Sequence, residues 1–118
     1  AARPLLTSAM ISRGWETAAR HGGAIPAIPV TDSLRRVEGE TSRAVDRSAF
    51  VAVQTPQVFR ARLLKEAYAA HPDAVYSDDA TAFEAYGKIP VLFEGSTDNM
   101  KVTNPGDLEI AALLIGRR

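Results

Sequence analysis

The chain has 118 residues, 46% apolar and 24% charged, with 14 basic against 14 acidic side chains and a formal net charge of zero. That balance exerts no general pull on a polyanion, so nucleic-acid binding is not expected, and the lack of cysteine removes disulfides, thiolate metal sites and cysteine nucleophiles. The longest apolar stretch, 108–115, is interrupted by Glu109 and is far too short for a bilayer span, and no basic-plus-apolar leader opens the chain, so a membrane protein is not expected and cytoplasm is the expected location.

In chain order, the apolar residues Met10, Ile11, Trp15 and Ala18 recur at helical spacing and predict a helix over 7–21, with Thr7 or Ser8 as its N-cap and Gly22-Gly23 as its stop. On this helix Trp15 is expected in the core or an interface, because an indole has a large apolar area to bury. The run 24–30 is apolar with two prolines and reads as a strand near a sheet margin whose end opens onto a site. Residues 33–50 are polar, hold Arg35, Arg36, Arg43 and Arg47, and turn at Glu38-Gly39-Glu40, which predicts an exposed two-stranded arm. Such a hairpin is marginal alone, so a second copy of the chain is its expected support.

A strand is expected over 50–53, then a helix over 57–70 capped by Thr55 with Pro56 at its first position. Ser77-Asp78-Asp79 predicts the start of a third helix ending near Tyr86, with Gly87 as its stop. Val91-Leu92-Phe93 reads as a strand and 100–103 as extended, and Asn104-Pro105 predicts the start of a last helix carrying Leu108, Ala111, Ala112 and Ile115. Strands alternating with helices predict an α/β fold.

A series of short motifs runs through these elements: Ala1-Ala2-Arg3-Pro4, Pro29-Val30-Thr31-Asp32-Ser33, Val45-Asp46-Arg47, Gln54-Thr55-Pro56-Gln57-Val58-Phe59, Ser77-Asp78-Asp79-Ala80, and Asn99-Met100-Lys101-Val102-Thr103-Asn104-Pro105-Gly106-Asp107-Leu108. In this order they resemble the 2-C-methyl-D-erythritol 4-phosphate cytidylyltransferase family, over the whole chain but only about the second half of a family member. Serine stands at Ser33 and Ser77 where the family usually has threonine, which keeps the hydroxyl and loses the methyl.

The resemblance implies a Rossmann-like nucleotidyltransferase fold, with residues 1–118 as its C-terminal half and a dimerisation arm at about 33–50. It implies transfer of CMP from CTP to methylerythritol phosphate with release of pyrophosphate, a divalent metal, usually magnesium, and a homodimer formed through the arm. It also implies an upstream half, in the same or a separate chain, carrying the glycine-rich loop and cytosine pocket, without which this stretch is inactive.

By the same resemblance Arg3 and Lys101 are catalytic cations, and Arg3, Ser33, Arg47, Thr55, Ser77 and Lys101 bind substrate, with Arg47 and Thr55 contributed by the other subunit. The chemistry suits these residue types: a dianionic phosphate attacking a polyanionic nucleotide needs cations to offset repulsion and fixed donors to hold both partners. Guanidinium forks match phosphate oxygens, and an ammonium acts as a compact point charge.

Each residue has a plainer alternative. Arg3 reads equally as a solvated arginine, Arg47 as a guard against edge pairing, Lys101 as an ion-pair partner of Asp98 or Asp107, and Thr55 and Ser77 as helix caps. Asp78 and Asp79 look like a metal pair but are routine in a first helical turn, and His21 and His71 sit where helices end. A cytidylyltransferase acting on a pentitol phosphate such as ribitol 5-phosphate, and a non-catalytic dimerisation module, are the alternatives for the whole.

Overall fold

A computed structural model of the chain describes residues 3–117; Ala1 and Ala2 of the first motif, and Arg118, lie outside the described residues. Helix α1 is Ser8–His21 and strand β1 is Gly23–Pro29. The arm is β2, Arg35–Glu38, and β3, Thr41–Ala44. Strands β4, Val51–Val53, and β5, Val58–Phe59, precede α2, Ala61–Ala70, and α3, Asp79–Ala85. Strand β6, Val91–Glu94, and α4, Pro105–Gly116, complete the order.

Helix α1 starts and stops as its sequence predicts: Thr7 Oγ1 accepts from Met10 N at 3.3 Å, and Gly22 caps the other end, donating to Ala18 O at 2.7 Å. Met10, Gly14 and Ala18 form its buried stripe. Trp15 is 70% exposed, which corrects the expectation of a core position. It lies one residue past Gly14, about 100° round the helix from the buried stripe.

The largest departure in topology is β1. It is the central strand, parallel to β6 on one edge and antiparallel to both β4 and β5 on the other, with Ala27 opposite Val53 and Gly23 opposite Phe59. Pro26 is tolerated there because a strand residue presents its N and C=O to the same side. Pro26 O accepts from Gln54 N at 2.8 Å, so its missing N–H faces the break between β4 and β5, where no ladder bond is lost.

That break also corrects the second helix. Thr55-Pro56 is a cis peptide and caps nothing; Val58 and Phe59 extend along Gly23 and Ala24, and α2 begins only at Ala61 with Arg60 at its N-cap. A β-branched and an aromatic residue favour the sheet here, where their side chains reach α1 and Phe83, whose ring centroid stands 4.9 Å from that of Phe59. Residues 100–103 carry no strand.

The arm forms as its polarity predicts. All of β2 and β3 is exposed, Arg36 pairs with Arg43 in register, and Gly39 supplies the left-handed backbone, φ +62°, that the two-residue turn needs. Core side chains are mostly small, with Ala24, Ala67, Ala80, Ala82 and Ala111 buried beside Leu5, Met10, Ile25 and Phe83. The radius of gyration is 16.4 Å, against about 13.5 Å for a compact chain of this length. Both strands of the arm are exposed, and α4 keeps Leu108, Ile110, Leu113 and Ile115 exposed. No helix among the described residues is long and apolar enough to cross a membrane.

Candidate functional site around the Gln54-Thr55-Pro56-Gln57 turn

The turn between β4 and β5 organises the polar residues. Gln54 is 5% exposed, and its carboxamide spans to the loop after β6: Nε2 donates to Ser96 O at 2.9 Å, and Oε1 accepts from Ser96 N at 3.2 Å. Gly95 permits this approach, since a Cβ there would sit 2.5 Å from Gln54 Oε1 and 3.2 Å from Ala27 O. Asn99, 1% exposed, completes the link by donating from Nδ2 to Thr55 O at 2.8 Å and to Gln54 Oε1 at 3.3 Å.

Arg3 joins the same place. Its Nη1 donates to Asn99 O at 2.7 Å, and partial burial pulls its pKa below the usual arginine range, a shift that leaves a guanidinium charged. No carboxylate among the described residues lies within ion-pair distance of it. Lys101, two residues past Asn99, is exposed and makes no hydrogen bond or ion pair among the described residues. The alternative pairing with Asp107 is not formed, because that carboxylate accepts from Thr103 Oγ1 at 2.8 Å and Thr103 N at 3.1 Å, bonds that lower its pKa. Asp98 is not paired with Lys101 either.

On the other side of the turn, Gln57 grips the start of α3. Its Nε2 donates to Asp78 Oδ2 at 3.2 Å and its Oε1 accepts from Ala80 N at 3.2 Å. Asp78, not Ser77, is the N-cap, accepting from Thr81 Oγ1 at 2.6 Å and Thr81 N at 2.8 Å. The Thr81 hydroxyl chiefly holds the Asp78 carboxyl below its usual range, with partial burial opposing and the Thr81 amide and Gln57 adding to the effect. Ser77 is exposed, 3.3 Å from Thr81 Oγ1.

Ser33 and Arg47 lie elsewhere, together. Both line a concavity at the base of the arm with Leu34, Arg35, Ala44, Val45 and Asp46. Arg47 Nη1 donates to Thr31 O at 2.6 Å, fixing the guanidinium beside the segment that follows β1. The structure therefore collects Arg3, Thr55 and the Lys101 segment through Asn99, ties Asp78 and Ala80, next to Ser77, to the turn through Gln57, and places Ser33 with Arg47 at the arm. Among the described residues no hydrogen bond joins that pair to the turn.

Asp79 accepts from the Tyr68 hydroxyl, a bond that chiefly accounts for the Tyr68 pKa being raised to about 12. Asp78 caps α3 and Asp79 accepts from tyrosine, so both carboxylates have partners within the chain. No group of three or more His, Cys, Asp or Glu able to hold a metal occurs among the described residues. His21 and His71 are exposed at the ends of α1 and α2.

The carboxamides Gln54, Gln57 and Asn99 are the residues that motif reading passes over. The available signal is local: uncharged polar residues flanking Thr-Pro directly after a short apolar strand, and Gly95 leaving room opposite them.

One central strand flanked by parallel and antiparallel neighbours, helices on its connections, and a projecting arm define a partial Rossmann-like α/β fold of the nucleotidyltransferase type. The family model described as IspD, 2-C-methyl-D-erythritol 4-phosphate cytidylyltransferase, matches residues 1–117, and the chain belongs to that family. It is 43% identical over 116 residues to a Thermus thermophilus protein of that description, covering 96% of this chain and 54% of the relative. It is 41% identical over 114 residues to the Bacteroides thetaiotaomicron protein, covering 96% and 52%. The crystal structure of the cytidylyltransferase from Thermus thermophilus superposes with a TM-score of 0.86 at 43% identity, over 97% of this chain and 58% of that one. The chain spans about half the length of the curated relatives it matches.

Proposed function

We propose that this chain supplies the acceptor-binding half of a cytidylyltransferase that moves CMP from CTP to 2-C-methyl-D-erythritol 4-phosphate and releases pyrophosphate, in isoprenoid biosynthesis by the non-mevalonate route. In this reading residues 1–118 are the C-terminal half of the catalytic domain, and the working enzyme is a cytoplasmic homodimer joined through the arm. The observation that carries it is Lys101, a cation unpaired among the described residues and presented on a segment that Asn99 fixes to Thr55 and Arg3.

The acceptor's phosphate oxygen attacks the α-phosphorus of CTP, a new P–O bond forms, and the bond to pyrophosphate breaks. Both reactants are anions, so the chain's task is to neutralise and aim. Lys101 and Arg3 supply positive charge at the attacking phosphate, and Thr55 and Ser77 supply hydroxyls. Thr55 is bonded to the Lys101 segment of its own chain, which favours a division in which Ser33 and Arg47 reach across from the partner's arm base. A divalent metal, magnesium, accompanies CTP in this proposal and supplies charge neutralisation on the nucleotide phosphates. The described residues offer it no cage, and no step here depends on it.

The test is phosphorus NMR of an enzyme of full family length carrying this chain, given CTP and either methylerythritol phosphate or ribitol 5-phosphate. A pair of diphosphate resonances growing with methylerythritol phosphate, and far faster than with the pentitol, is the expected result. Preference for the pentitol overturns the acceptor assignment. Absence of transfer with either acceptor, in a protein that still dimerises, favours a scaffold instead.

A further inference from the structure

We propose that Asn99 and Gln54 are positioning residues for Lys101: their buried carboxamides clamp the 96–101 segment to Thr55 and so set where the ammonium stands beside the acceptor's phosphate. The inference rests on the acceptor-binding reading above and adds residues to which the motif assignments give no role.

The geometry shows a device directed at one segment. Residues 95–104 contain no helix or strand, so ladder bonds do not hold Lys101 in place. What does hold the segment is a set of side-chain bonds: Gln54 takes both the N–H and the C=O of Ser96, Asn99 N donates to Ser96 O at 3.0 Å, and Asn99 Nδ2 reaches back to Thr55 O and Gln54 Oε1. Gln54 is in turn fixed by its own backbone bond to Pro26 on the central strand. Lys101 is thereby connected to the rigid middle of the sheet through two buried side chains.

The Asn99 carboxamide also shows which of its ends matters. Thr55 O and Gln54 Oε1 are both acceptors, so Nδ2 must face them. Two donor bonds from one buried carboxamide to groups 44 and 45 residues away support the clamp as the role of the residue. Displacing a charged group by about 1 Å can lower a rate on the order of 100-fold.

Asn99→Ala removes the clamp with modest disturbance, since Thr55 is exposed to water and Gln54 Oε1 keeps Ser96 N. In the full-length enzyme it is expected to lower kcat for transfer by roughly 10- to 100-fold, with the KM for CTP unchanged. The deciding measurement is a double-mutant cycle with Lys101→Ala. If Asn99 acts through the lysine, Asn99→Ala in the Lys101→Ala background lowers kcat by less than about 3-fold. A double variant whose loss equals the product of the two single losses overturns the proposal. Should Asn99→Ala fail to fold, Gln54→Met, which keeps the side chain's length, takes its place in the same cycle under the same criteria. A wild-type enzyme that transfers nothing overturns the acceptor reading, and this proposal with it, whereas an active wild type with a multiplicative cycle overturns the positioning role alone.

Discussion

The arm and the Gln54-Thr55-Pro56-Gln57 turn are both polar, and they use their polarity in opposite ways. In the arm, Arg36 and Arg43 pair with Glu38, and Arg35 bonds Ser42, all at the surface where water competes for every partner. At the turn, uncharged Gln54 and Asn99 are buried, and their side chains bond backbone groups 42 and 44 residues away. Polarity by itself therefore says little about importance; what decides is whether water can replace the bond. Charged residues dominate the region that is easy to recognise, while neutral amides hold the region that positions the candidate site.

Breaking this contrast begins with function. In the full-length enzyme Lys101→Ala is expected to lower turnover on the order of 100-fold or more while leaving the thermal midpoint unchanged, because the side chain is exposed and bonded to nothing described. Equal kinetics in the variant would remove Lys101 from the site. Next in size is Gln54→Leu, which leaves Ser96 N without its acceptor in a half-buried loop and removes one of the two donors to Ser96 O; it should reduce unfolding free energy by about 1–3 kcal/mol in a denaturant titration. A loss no greater than that of an exposed substitution would show that water enters the turn.

Asp78→Ala removes the α3 cap and should cost about 1 kcal/mol. Its sign with pH is fixed. The folded-state carboxyl is held below the ordinary aspartate value of 3.8, so its contribution is present above that value and is lost as pH falls through the lowered folded pKa. Asp78→Asn keeps a capping oxygen and should lose this pH dependence. Smallest is Glu38→Gln in the arm, expected to change stability by at most about 0.5 kcal/mol, since both of its arginine partners are largely exposed. A larger effect in a dimeric sample would mean that the arm pair is buried against a second copy.

Much of the fold is legible in the sequence because its signals are local. Thr7 and Gly22 bound α1, Asn104-Pro105 opens α4, and Gly39 turns the arm, each through a cap or dihedral that one or two residues determine. The departures arise where the answer lies in a neighbour. Pro26 argues for a margin until the break opposite it is known, and Thr55-Pro56 has the letters of a helix start until Val58 and Phe59 are seen alongside Gly23 and Ala24. Size alone points Trp15 inward, yet which stripe α1 buries depends on the sheet beneath it. At the site, the phosphate-matching types Arg3, Arg47 and Lys101 stand out by charge, whereas Asn99 and Gln54, which tie Arg3 and the Lys101 segment to the turn, carry no charge to notice.

Amide hydrogen exchange on the full-length enzyme compares the two regions directly. The Ser96 and Asn99 amides, held by Gln54 Oε1 and Ser96 O in a loop without ladder bonds, should exchange as slowly as the amides of β1 in wild type and quickly in Gln54→Leu. Wild-type Ser96 and Asn99 amides exchanging as fast as those of an unsupported arm would contradict the positioning role, because Lys101 would then hang from a loop that nothing fixes.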